Sequence, residues 1–192
     1  PAGFHALNSD LRLVIGTPFP PTVKAQEEAL ALGKSAYQLI EREGIQLGRG
    51  TITYILEDEN SKIPINKATR NTLVKVLTIA GVENGEKRDI IADSILDWID
   101  ANKNHRLNGA ENDFYQNLTP PYFAKSAPIE NLDELLKVRG INEKILYGND
   151  KQLGLNQFFT VYNLKSINAN TASPEVLSVI FSESQAKLIM ST

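Results

Sequence analysis

Between Asp97 and Glu111, in the stretch DWIDANKNHRLNGAE, oxygen-bearing side chains recur at spacings that suit a hard cation. Counted from Asp100 as the first position, they fall at Asp100, Asn102, Asn104, Asn108 and Glu111. Those are places one, three, five, nine and twelve of an EF-hand loop. In such a loop the seventh residue, here Arg106, offers its backbone carbonyl and the twelfth a bidentate carboxylate. Leu107 supplies the apolar residue of the eighth place. The sixth place departs from the pattern, because the glycine that makes the sharp turn is replaced by His105. Only Asp100 and Glu111 bring charge in this register, so the spacing predicts weak calcium binding, with a Kd of roughly 10⁻⁴ to 10⁻³ M. The competing use of these residues is local, since Asp and Asn side chains also build turns and caps between helices.

The loop needs a helix to deliver it. Glu86 to Ile99 has Ile90, Ile91, Ile95, Leu96 and Trp98 at helical spacing, so residues 86–99 are expected to be a helix that carries Asp97 and Asp100 at its C-terminal end. A helix C-terminus is partly negative and disfavours carboxylates, so two of them there call for a compensating cation or donor. On the far side, residues 111–118 are expected to be a short helix ending before Thr119-Pro120-Pro121.

Composition narrows the class. The chain has 192 residues, a net charge of −3 and no cysteine, which excludes disulfides, thiolate metal sites and a cysteine nucleophile. It lacks the concentrated basic face that nucleic-acid binding demands, and no run of about 18 apolar residues is present. His5 and His105 are the only histidines, and no serine, carboxylate pair or glycine-rich loop surrounds them in a catalytic arrangement, so no enzyme is expected. The sequence opens Pro1-Ala2-Gly3 without an initiator Met, which implies a trimmed product with any membrane segment lying outside it.

Along the chain, residues 1–22 read as an irregular arm. Ala25, Ala29, Leu32, Ala36, Leu39 and Ile40 predict an amphipathic helix over 23–43, stopped by Gly44. The TITYIL run, 51–56, reads as a strand, with 62–65 returning as its edge partner because of Pro64. Asn66 or Thr69 caps a helix through Leu73, Val76, Leu77 and Ile79. Asn131 caps residues 132–138, Gly140 closes them, and 141–146 form a further turn, giving a helix-hairpin-helix-like element. Such hairpins can bind DNA, but Lys137, Arg139 and Lys144 are offset by Glu130, Asp133, Glu134 and Glu143, so a packing role is expected instead. QFFTVY, 157–162, is a second strand candidate. The segment Ile65-Asn66-Lys67-Ala68-Thr69 is echoed by Ile167-Asn168-Ala169-Asn170-Thr171-Ala172, with a helix after each copy and the asparagines acting as caps and turn formers. A last helix is expected over 184–190.

Three stretches in this order, the IN-x-A-T segment after a hairpin, the D-W-x-D…N-G-A-E-x-x-x-Y segment, and the late I-N-A-N-T-A-S segment, resemble the general secretion pathway protein K family, minor pseudopilins of the type II secretion system. The resemblance covers about residues 25–187. It implies an α+β fold: a pilin-like helix packed on a small antiparallel sheet, with a large inserted helical (helix-hairpin-like) domain that holds calcium. In those terms the chain divides into an arm at 1–22, a pilin-like part at 23–65 and 157–168, an inserted domain at 66–156, and a second helical-hairpin lobe at 169–192. The resemblance further implies a non-enzymatic subunit that caps or initiates the pseudopilus tip with the I- and J-type minor pseudopilins. Such a subunit is periplasmic and anchored in the inner membrane when full-length, with no nucleic-acid partner. Carried onto this sequence, the family's acidic loop falls on Asp97, Asp100 and Glu111, with Asn102, Asn104 and Asn108 as further oxygen donors. Asn102 stands where the family commonly has Asp, which removes one charge. Residues 1–22 depart from a membrane-spanning pseudopilin start, and the chain stops where the family continues into further sheet. The expected role for calcium is a structural clamp; a helix-hairpin-helix nucleic-acid module is the alternative.

Overall fold

A computed structural model describes residues 42–54, 57–182 and 184–186. The arm expected at 1–22 lies outside them, as do most of the helix expected at 23–43 and the end of the one expected at 184–190. The described residues form two compact units, one running to Ser61 and resuming at Lys165–Ser173, the other built from Lys62–Leu164 and resuming at Pro174.

In the first unit, strand β1 (Arg42–Leu47) pairs antiparallel with β2 (Gly50–Tyr54), with Ile45 opposite Ile52 and an irregularity between Arg42 and Ile45. Two expectations change here. Arg42 and Glu43 belong to a strand rather than to the end of a helix, and the TITY part of TITYIL, 51–54, pairs upstream rather than with 62–65. The cause is the two-residue connection Gly48-Arg49: Gly48 takes φ +62°, the positive value that the first corner of a type II′ hairpin turn requires. Elsewhere in this unit Asp58 is buried. Its carboxylate accepts from Asn60 N at 2.9 Å, Asn168 Nδ2 at 2.9 Å and Thr171 Oγ1 at 2.7 Å. Asn168 Oδ1 also accepts from Asn170 N at 3.2 Å, the local bond expected of a turn former.

The second unit is mostly helical. Strand β3 (Ile63–Pro64) opens it, and α1 (Arg70–Ile79) follows behind Thr69, whose hydroxyl accepts from Thr72 N at 3.2 Å. Thr69 is therefore the cap. Asn66 instead reaches Ile129, donating to its carbonyl and accepting from its amide. Helix α2 (Glu86–Ile99) has the bounds that its periodicity predicts, with Glu86 and Asp89 complementing the positive end of its dipole. It is followed by α3 (Asn112–Gln116), a 3-10 turn at Leu132–Lys137 and α4 (Glu143–Tyr147), capped by Asn142. Then come β4 (Gly148–Asn149) paired with β5 (Gln152–Leu153), a further 3-10 turn at Leu155–Gln157, β6 (Phe159–Thr160) and α5 (Pro174–Ile180).

QFFTVY is not the long strand its composition suggested. Gln157 ends a 3-10 turn and only Phe159–Thr160 pairs, in parallel with Ile63–Pro64. Phe158 and Phe159 are both buried, so the run lacks the alternation of a half-exposed strand; it is a core plug. This pairing also draws Lys62 to Pro64 into the helical unit, whose bounds are thus wider than 66–156. The core gathers Ile65, Leu73 and Leu77 with Ile91 and Ile95 of α2, and Leu135, Leu146 and Phe158 from later segments. Helix α1 packs on α2 and on α5, where Lys75 Nζ donates to Val179 O at 3.1 Å.

Among the described residues, then, the chain is a mixed fold of helices with three two-stranded sheets.

Candidate metal centre

Helix α2 buries apolar side chains and also acids. Asp93 and Asp97, one turn apart, are 3% and 0% exposed, and Asp100 caps the helix. Residues four apart share a helix face, so both carboxylates point toward the loop that follows. Each is met differently. Asp93 Oδ1 accepts from Arg70 Nε at 2.7 Å, while its Oδ2 accepts from the amide and the side chain of Asn108, at 3.3 and 3.2 Å. Arg70 also pairs with Asp89 at 2.9 Å. Asp97 accepts from the Arg106 amide, and Arg106 Nη1 lies 2.5 Å from Asp97 Oδ1 and 2.5 Å from Asp100 Oδ2. Burial alone would lower the Arg106 pKa, but the bonds to Asp100 and Asp97 outweigh it and hold the guanidinium firmly protonated.

The loop is pressed onto this corner. A Cβ at Gly109 would collide with the Asp97 carboxylate, so only glycine lets the backbone approach so closely. Arg139 secures the other side of the turn, donating to Gly109 O at 3.2 Å while its guanidinium lies 4.7 Å over the Phe114 ring. Beneath, Trp98 meets Tyr115 edge-on at 5.2 Å. Burial pushes the Tyr115 hydroxyl up to about 12.

Glu111 completes the corner. It is 2% exposed, and both of its carboxylate oxygens are buried without a hydrogen-bond partner in the protein; Asp100 Oδ1 is in the same state. Desolvation raises the Glu111 pKa, and the charges of Asp97 and Asp100 raise it further. An uncompensated buried carboxylate costs free energy unless it gains a proton or a cation. Among the described residues no group of three acidic or histidine side chains is already drawn together as a ligand set. What stands between Asp97 and Asp100 is Arg106. The donor chemistry nevertheless suits a hard divalent ion: carboxylate oxygens, three of them unpartnered, in a shielded corner.

Of the residues singled out by spacing, the structure brings Asp97, Asp100 and Arg106 into contact, with Glu111 near enough to feel the charges of both aspartates. Asn102 and Asn104 are exposed and bond each other, Asn104 N to Asn102 Oδ1 at 2.8 Å, and Asn108 faces Asp93. The Arg106 carbonyl accepts from Gly109 N at 3.1 Å. His105 does not make the glycine-type turn of an EF-hand; among the described residues Ser126 is the only non-glycine with positive φ. His105 instead pairs with Asp113 at 2.8 Å. Spacing missed Asp93 and Arg70, although the four-residue interval between Asp93 and Asp97 was the available signal.

The hairpin loop that could have offered a phosphate site is turned inward. A Cβ on Gly140 would fall 2.8 Å from Ile91 Cγ1, and Arg139 is engaged by Gly109 and Phe114.

Fold and site together define a helix-rich domain with buried acids on either side of a mostly exposed loop. The sequence matches the family described as "Type II secretion system (T2SS), protein K" over residues 52–147, half of the chain. A relative from Escherichia coli (strain K12), "Putative type II secretion system protein K", is 37% identical over 70 residues, which are 36% of this chain and 21% of that protein. The match thus spans about a fifth of the relative. The fold also resembles a chain of "The Crystal Structure of the GspK-GspI-GspJ complex from enterotoxigenic Escherichia coli Type 2 Secretion System". The TM-score is 0.59 and the identity 16%, over 93% of this chain and 67% of that one. The protein belongs to the type II secretion system protein K family.

Proposed function

We propose that the protein is a non-enzymatic minor pseudopilin that joins the I- and J-type minor pseudopilins in a hetero-oligomeric complex, capping or initiating the tip of the type II secretion pseudopilus. It works in the periplasm, anchored to the inner membrane by a segment outside the described residues. No described helix is long and apolar enough to cross a membrane. Family membership supports the role, and the solved complex whose fold it shares contains GspI and GspJ.

Calcium belongs to this reading as a structural clamp between the end of α2 and the start of α3. The observation that carries it is Glu111, buried with both oxygens unpartnered beside Asp97 and Asp100. Those three carboxylates would hold the ion, with Asn102, Asn104, Asn108 and the Arg106 carbonyl as the further oxygens that spacing offers. The ion would supply the positive charge the corner lacks and tie two helix ends together. It is a clamp rather than a sensor, since the loop lacks the glycine turn of a signalling EF-hand.

Two measurements test the proposal. Mixing the chain with I- and J-type partners should give one co-eluting species by size exclusion; independent elution of all three would remove the assembly role. Calcium titration should release or absorb heat with the parent and not with Glu111→Gln. Equal heat from both, or none from the parent, would remove the clamp.

A further inference from the structure

Arg106 Nη1 sits 2.5 Å from a carboxylate oxygen of both Asp97 and Asp100. Asp100 Oδ1 and both oxygens of Glu111, which feels the charges of Asp97 and Asp100, are buried and unpartnered. One guanidinium answers two of these three carboxylates, and Glu111 has no donor of its own. A calcium ion takes its oxygens at about 2.3–2.6 Å. The Arg106 nitrogen stands at that separation from Asp97 Oδ1 and Asp100 Oδ2, so an ion bridging those same two oxygens would need the place Nη1 holds.

Resting on the reading of this loop as a calcium site, we propose that Arg106 is an internal competitor for the cation: it bridges Asp97 and Asp100 while the loop is metal-free and gives up that bridge when a divalent ion binds. Three features favour the exchange. The Arg106 side chain is 35% exposed, so its guanidinium can swing into water without opening the core. The loop keeps other fastenings, Asn108 on Asp93 and Arg139 on the Gly109 carbonyl, which do not involve Arg106. The Glu111 oxygens are left vacant by the guanidinium, so an arriving ion has a first foothold before Arg106 moves. The arrangement folds the loop before metal arrives. It also sets the affinity low, because the ion must displace a charge-assisted bond and approach a positive group in a shielded site.

The test uses the full chain with calcium alone as the probe, on the parent, Arg106→Gln and Arg106→Lys. Metal-free R106Q should melt below the parent. Its calcium Kd should fall about tenfold, the factor that 1.4 kcal/mol of lost competition represents. Its calcium-induced rise in Tm should exceed the parent's. R106K keeps the charge without the fork, and should lie between the two. If the parent binds calcium and R106Q binds no tighter, Arg106 is scaffold, and this inference falls while the calcium reading stands. If neither protein binds calcium, both fall. Should R106Q fail to fold without metal, a calcium-loaded structure of the parent decides. Nη1 released from at least one aspartate supports the exchange, and Nη1 still bridging both overturns it.

Discussion

Glu111 and Glu134 stand at the starts of two short helical turns in the same unit, and the protein treats them in opposite ways. Glu134 is the third residue of a capping box: its Oε1 accepts from the amides of Glu130 and Asn131, both at 3.0 Å, and Lys125 bonds it at 2.9 Å. Desolvation pushes its pKa up, but the Lys125 and backbone bonds outweigh it and the net shift is downward. Glu111, at the N-cap of α3, has no partner for either oxygen, and its pKa is pushed up by desolvation and by Asp97 and Asp100. Both acids are largely hidden from water. The difference is donors. A carboxylate supplied with donors stabilises the fold at neutral pH, while one left without them waits for a ligand.

The contrast can be broken most severely at Gly109. Gly109→Ala places a methyl against the Asp97 carboxylate and should cost on the order of 1–3 kcal/mol of stability by urea unfolding, with the acidic corner disrupted and the Glu134 turn untouched. Glu134→Ala removes a cap and a half-shielded ion pair. About 1–2 kcal/mol should be lost, and calcium binding should be unaffected. Glu111→Gln should go the other way in metal-free buffer, gaining up to about 1 kcal/mol because a buried uncompensated charge is gone. Addition of calcium should then bring no further gain. No change in the metal-free midpoint would mean that Glu111 is already protonated or solvated.

The smallest effect is in pH. The raised Glu111 pKa gives a contribution that is fully present below the ordinary value of 4.5 and lost as pH rises through the raised value. The lowered Glu134 pKa gives one that is present above 4.5 and lost as pH falls through the lowered value. Urea midpoints against pH should therefore flatten on the alkaline side of 4.5 in Glu111→Gln and on the acid side in Glu134→Gln. The same slope in both variants would erase the distinction.

Helix α2 was fully legible in the sequence because periodicity, an acidic first turn and an apolar stripe agree over its whole length. The positions of Asp97 and Asp100 at the end of that helix and of Glu111 at the start of the next were legible with it. The partners of those acids were not. Asn108 at the ninth loop place looks like a metal donor, yet the fold sets it against Asp93, one turn earlier on the helix. Arg106 was valued for its carbonyl, whereas its side chain occupies the corner. Spacing along a chain specifies which residues share a face, not which cation arrives there first. The hairpin was misread for a related reason. Strand propensity marked TITYIL, but its partner was decided by the Gly48 turn, and the parallel pairing of β3 with β6 involves two residues each and has no sequence signature.

That brief pairing also governs where the chain tolerates change. Ile63 and Phe159 lie side by side, so the chain leaves for the helical segment and comes back at neighbouring points. A segment whose two ends meet can be lengthened or trimmed at its exposed loops without moving the short pairing that closes it.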